Sequence, residues 1–247
     1  MQPADILPKD SLIRKGSISA LIIVLMTCLV SPVKPQVSLG ITGGVNFATY
    51  RGKETNGTQI DFSSRSGFAL GAILEFGINQ TFGIRLQPMY LQKGAQWQID
   101  DSEYGRTTLT SKIAYFETPL FLKLTLSASN IRPYLMAGPT VGLNLNSKTD
   151  FSGTGPGPAL GIRNADADDV TNSVDFGFGF GAGLSLSADK NTIFIEMCYT
   201  QGLTDIAKAG TIEQAGVRGF QANVEETDIK TRELRVLLGV LFPLDGK

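Results

Sequence analysis

The stretch Val174–Leu186, VDFGFGFGAGLSL, limits what this chain can fold into more than any other. Side chains of an extended strand point alternately to opposite faces. Val174, Phe176, Phe178, Phe180, Ala182, Leu184 and Leu186 therefore share one face, and Asp175, Gly177, Gly179, Gly181, Gly183 and Ser185 share the other. A water-facing strand would carry Lys, Glu or Thr there, because glycine weakens a strand and adds nothing to solubility. Glycines on the polar side imply crowding inside a narrow closed barrel, with the phenylalanines facing lipid.

The same alternation recurs along the chain. It predicts strands over Val37–Phe47, Gly67–Phe76, Phe82–Gln92, Lys112–Leu126, Pro133–Leu145, Val174–Leu186, about Ile193–Thr200 and Thr231–Phe242. Pro88 cannot donate to a ladder, so a local bulge is expected there. The connections alternate too. Those after the second, fourth and sixth strands are short turns. Those after the first, third, fifth and seventh read as long polar loops, including Asp100–Gly105 and the Gly-, Pro- and Asp-rich Asn146–Ser173. An even strand count, one rim of short turns and one of long loops is the plan of an outer-membrane barrel, with the short turns periplasmic. Closure also leaves no strand edge unpaired in lipid.

The first segment supports export. Lys9, Arg14 and Lys15 precede an apolar run from Ile18 to Val30, which Ser31 and Pro32 break. The run is shorter than the roughly twenty residues of a spanning helix and reads as a secretory signal. Residues 1–36 are accordingly assigned to the signal peptide and cleavage region, and 37–247 to a single barrel domain. Cys28 leaves with the signal, so Cys28 and Cys198 form no disulfide framework.

Composition removes several functions. There is no histidine, which takes away the commonest general base and metal ligand. A net charge of −1 gives no pull towards nucleic acid. Glycines at every second residue have strand spacing and are no dinucleotide fingerprint, and Gly153–Gly161 lacks the Gly-Lys-Ser/Thr of a phosphate-binding loop. No catalysis and no cofactor are expected.

Glu75, Arg85, Glu117, Lys123, Glu196 and Arg235 fall on the glycine face. Charges out of water are costly unless paired, so these six are expected to form ion pairs that fill the lumen. Asp166, Asp168 and Asp169 cluster in an acidic loop that reads as solvated. A calcium site there is the weaker reading, because the glycine and terminal glutamate of a calcium loop are missing. Tyr50, Trp97, Tyr104, Tyr115, Tyr134 and Tyr199 are girdle candidates, with ordinary packing the equal alternative, and Tyr115 and Tyr134 fall on the lumen face.

Several short motifs resemble those of a known family. They are Leu86-Gln87-Pro88-Met89-Tyr90 with Lys93-Gly94, Glu117-Thr118-Pro119-Leu120, Arg132-Pro133-Tyr134 with Gly138-Pro139, the Phe176–Gly183 run, and Tyr199 with Gly202-Leu203-Thr204. In this order they resemble the PorT-like outer-membrane β-barrels of Bacteroidetes-type bacteria, an OmpA-like barrel domain. The resemblance implies an outer-membrane protein. That family usually carries arginine where this chain has Cys198, so any lumen pairing made by that arginine is not carried over.

The expectation is an all-β, eight-stranded antiparallel up-and-down transmembrane β-barrel in the cell outer membrane, in contact with outer-membrane lipid. Its long outer loops would contact other envelope proteins, in a structural or interaction role. Two alternatives stay open: a soluble secreted lipocalin-like barrel with its apolar face inward around a ligand, and a small gated pore.

Overall fold

A computed structural model describes residues 36–53, 59–60, 62–101, 105–126, 129–154, 161–213, 221–224 and 228–244. The signal segment to residue 35, Cys28 and Tyr104 lie outside them.

Eight strands form the barrel: β1 (Gln36–Lys53), β2 (Ser63–Gly77), β3 (Phe82–Leu86 continued by Met89–Asp101), β4 (Gly105–Thr125), β5 (Ile131–Thr154), β6 (Val174–Ala188), β7 (Asn191–Gly202) and β8 (Ile229–Pro243). Each pairs antiparallel with its neighbours in sequence. β8 returns to β1 from Ser38↔Pro243 to Gly52↔Ile229, which closes the ring. Both described chain ends, Gln36 and Leu244, lie at the rim of the short turns, where the Leu244 amide donates to the Val37 carbonyl (2.7 Å). No helix among the described residues is long and apolar enough to cross a membrane; the crossing elements are strands.

The faces have the orientation of a membrane barrel. Phe176, Phe178 and Phe180 are 50%, 47% and 55% exposed, while Asp175, Gly177 and Gly179 between them are buried. Leu39, Ile41, Leu70, Leu122, Leu135, Ile195 and Leu238 continue the exposed apolar belt around the ring. Arg85, Lys93, Glu117, Glu196 and Arg235 sit inside at 0–1% exposure. This polarity is the reverse of a lipocalin-like barrel and overturns that alternative.

The glycine face is crowded, for a visible reason. A Cβ on Gly177 would lie 2.7 Å from Thr140 Oγ1, one on Gly179 would lie 3.0 Å from the Phe121 ring, and one on Gly183 would collide with the Tyr134 ring. β6 is thus the thin wall against which side chains of β4 and β5 lie.

Two expectations need correction. Asp100–Gly105 and Asn146–Ser173 do not run wholly as loops. β3 and β4 stay paired to Asp101↔Gly105, and β5 runs on to Thr154 beside Gly161–Asp166, followed by a 3-10 turn at Asp168–Val170. Polar residues such as Thr149 there, and Thr107, Thr108 and Thr110 just beyond Gly105, are β-branched and suit a strand wetted above the membrane. Second, Pro88 carries no bulge. The register is unbroken across it, with Leu86 opposite Leu74 and Leu120, and Met89 opposite Gly71 and Glu117. Gln87–Pro88 merely interrupts the ladder. Pro88 still accepts from the Ala72 amide (2.9 Å), and Pro119 accepts from Gln87 (3.1 Å). A bulge does occur elsewhere, at Leu145: Ala114 faces Asn146 while Tyr115 faces Asn144. It shifts the side-chain alternation, so Ser147, Thr149 and Phe151 are buried.

Candidate functional site: the charged lumen and the outer extension

The barrel interior is built in layers. At the short-turn rim a cavity of about 940 Å³ opens outwards, with Glu75, Lys123, Arg132, Ser185 and Ser187 among its walls. Its inner end is the first ion cluster. Arg85 contacts Glu75 (2.5 Å) and Glu196 (2.6 Å), and Lys123 contacts Glu75 (2.7 Å). Gln87 and the Tyr134 hydroxyl also donate to Glu196 (2.9 and 2.7 Å). Aromatic rings pack beside these cations: Arg85 lies 5.2 Å from the Tyr134 ring centre and 5.1 Å from that of Phe194. Ile73, Phe121, Met136, Cys198 and Leu241 complete an apolar layer with the two rings.

The second cluster lies beyond it. Lys93 contacts Glu117 (2.7 Å), Asp175 (3.3 Å) and Glu233 (3.4 Å), and Arg235 contacts Glu117 (2.8 Å). Through its other terminal nitrogen Arg235 donates to Thr200 Oγ1 (2.7 Å), and that same nitrogen lies 3.8 Å from Cys198 Sγ. Asp175 accepts from the hydroxyls of Thr231 (2.9 Å) and Thr204 (3.1 Å), and Asn46 donates to Glu233 (3.3 Å). Above this cluster, Tyr50, Leu91, Ile113, Tyr115, Ile206 and Ile229 form an apolar cover.

All six charged residues expected in the lumen are therefore in ion pairs: Glu75, Arg85, Lys123 and Glu196 in the first cluster, Glu117 and Arg235 in the second. Sequence reasoning omitted Lys93, Asp175 and Glu233, although strand alternation already placed all three on the glycine face. The signal was present. What it lacked was any indication that Lys93 sits among three carboxylates contributed by β4, β6 and β8. The cost of burying an ion falls only when partners surround it, and such partners come from different strands.

The outer extension holds a second small core, with Phe151, Ile162, Ala165, Ala167 and Val170 packed together and Leu109 against them. Asp166, Asp168 and Asp169 do not converge there. Asp168 accepts from the Ser147 amide (2.6 Å), and Asp166 accepts from the Asp168 amide (3.0 Å) and faces Lys148 (3.6 Å). Oxygens of Asp166 and Asp168 are engaged by backbone and lysine, and among the described residues no group of three His, Cys, Asp or Glu side chains could hold a metal ion. The weaker calcium reading thus lacks the geometry it needs.

The girdle candidates divide. Tyr50, Tyr115 and Tyr134 are inside the barrel. Trp97 meets Phe62 edge-on above it. Tyr199 lies outward beside Phe180, with ring centres 5.2 Å apart. Tyr90, not among the candidates, takes a similar outward place beside Phe68.

Several known structures are similar to this chain at low identity. The outer membrane protein OprG from Pseudomonas aeruginosa is 13% identical, with 83% of this chain and 95% of that one covered and a TM-score of 0.44. The outer membrane protein AlkL is 13% identical, covering 88% and 97%, with a TM-score of 0.42. Ail, the attachment invasion locus protein of Yersinia pestis, is 14% identical, covering 84% and 99%, with a TM-score of 0.37. No curated protein matches this sequence. The family model described as outer membrane protein beta-barrel domain matches residues 34–208, and this chain, an eight-stranded barrel of the outer membrane, belongs to that family.

Proposed function

We propose that this protein is a closed, non-catalytic barrel that acts through its outer extension, by contact with other envelope or surface molecules. The observation that carries this reading is the occupied lumen. Among the described residues, two ion clusters, the aromatic layer packed around the first and the apolar cover above the second fill the interior, and the cavity opens at the short-turn rim. An eight-stranded barrel has an interior about wide enough for its own side chains, so closure is the physical default. The outer extension, by contrast, has paired strands and a small core, which hold a surface in shape at little entropic cost on binding.

A PorT-like place in the envelope belongs to the same proposal. Two of the motifs behind that resemblance, Leu86–Tyr90 and Glu117–Leu120, meet across the Pro88 interruption, where Gln87 donates to Pro119.

Planar-bilayer recording tests the reading. The purified protein is expected to give no unitary current steps. Steady channels in the intact protein would favour the gated pore and overturn it. Turnover of a lipid or peptide substrate would overturn the non-catalytic part.

A further inference from the structure

We propose that the outward rungs of β7, β8 and β1 directly above the apolar belt hold the phosphate of an anionic outer-leaflet lipid. The outward apolar positions of β1 run from Val37 to Phe47, about 33 Å along the strand and about 23 Å along the membrane normal at a tilt of ~45°. This is close to the ~25 Å height of a lipid-facing apolar band. The next outward positions, Thr49 and Arg51, stand about 5 and 9 Å higher, at headgroup level.

Strand register brings other groups to the same place. Arg232 is opposite Thr49 and Gln201, and Lys230 is directly opposite Arg51. The Arg232 Nε donates to Gln201 Oε1 (3.1 Å), which also accepts from the Tyr199 hydroxyl (3.1 Å). That arrangement fixes the guanidinium above the Tyr199–Phe180 ring pair at the top of the belt. Lys230 is matched by Asp228 (2.7 Å) and Asp205 (3.8 Å). Among the described residues neither Arg51 nor Arg232 has a carboxylate at salt-bridge distance.

The opposite wall differs. Its outward lysines are each matched, Lys112 by Asp150 and Lys148 by Asp166. Lys230 on this wall already has its carboxylates, so the charge left without one is carried by Arg51 and Arg232. A lipid phosphate suits the place for two reasons. Guanidinium groups bind phosphate through paired hydrogen bonds, and the surface is continuous with the belt that already meets acyl chains.

The test uses the full barrel in nanodiscs of phosphatidylcholine containing either phosphatidic acid or diacylglycerol with the same chains. Lipids retained after detergent exchange are counted by native mass spectrometry. The wild type is expected to retain phosphatidic acid about tenfold over diacylglycerol, a difference of one decade in affinity. R51Q/R232Q is expected to lose that preference, while K112Q/K148Q keeps it. All three proteins are first shown to retain heat-modifiable mobility. Equal retention of both lipids by the wild type, or an undiminished preference in R51Q/R232Q, would overturn the proposal. Displacement of phosphatidic acid by millimolar inorganic phosphate would overturn the lipid as the source of the phosphate.

Discussion

The two ion clusters inside this barrel use the same residue types in different surroundings. The cluster near the short-turn rim has Arg85 and Lys123 against Glu75 and Glu196, and its Glu75 and Lys123 side chains are 17% and 8% exposed to the open cavity. The cluster beneath the apolar cover has Lys93 and Arg235 against Glu117, Asp175 and Glu233, and no member exceeds 4% exposure. Water can replace a missing partner in the first cluster. In the second only protein groups can, and hydroxyls from Thr200, Thr204 and Thr231 together with the Asn46 amide supply part of that need, while Glu233 Oε1 accepts no hydrogen bond and Arg235 Nε donates none. The difference teaches that a buried ion's cost depends less on how many partners it has than on whether solvent can substitute for one of them.

Removing Lys93 should break the sealed cluster most. Lys93→Met leaves Glu117, Asp175 and Glu233 facing one another, and a loss of about 3–5 kcal/mol is expected, as for a buried pair stripped of one partner. Urea unfolding in lipid vesicles, followed by heat-modifiable mobility, measures it. A loss no greater than that of a surface variant would mean that water reaches this cluster. The double substitution Glu117→Leu/Arg235→Leu sharpens the point. It should cost less than the sum of its single substitutions by about 1–3 kcal/mol, because the pair leaves together.

Lys123→Gln probes the wetter cluster and should cost about 1 kcal/mol, clearly less than Lys93→Met, since cavity water can solvate Glu75. Equal costs at the two sites would refute the contrast. The thin wall lies between these cases. Gly183→Ala drives a methyl into the Tyr134 ring beside Glu196 and should cost about 1–3 kcal/mol by overpacking. A Cβ at Gly161, in the outer extension, meets nothing within 4 Å, so the same substitution there should change stability little.

The smallest effect belongs to the Lys112–Asp150 pair of the outer extension. Partial burial pushes the Asp150 carboxyl up, but hydrogen bonds from Lys112 and the Asn164 amide outweigh this and hold it below its usual value. A carboxyl lowered on folding adds stability above its unfolded pKa and loses it as pH falls through the folded value. Lys112→Gln should therefore cost about 0.5 kcal/mol or less at neutral pH and nothing in acid. Parallel unfolding curves at pH 7 and pH 2 check this.

Much of the fold was legible because strand alternation is a local property. That Phe176–Phe180 and Gly177–Gly183 lie on opposite faces follows from a period of two, and so does the placement of Arg85, Glu117 and Arg235 on the glycine face; which face points outward is read from the structure. What misled was polarity read as loop. Ser147–Thr154 is polar because water lies on the outer extension, and it still forms strand. Alternation also could not locate the Leu145 shift, since one inserted residue depends on how two strands meet.

The sequence by itself determined the strand count and which residues share a face, because each is written in neighbouring residues. Only the tertiary structure decided who pairs with whom. Lys93 meets Glu117, Asp175 and Glu233 across the lumen, and Arg51 meets Lys230 across a seam that joins the two ends of the chain. These meetings depend on ring closure and strand register, which bring together residues far apart in sequence.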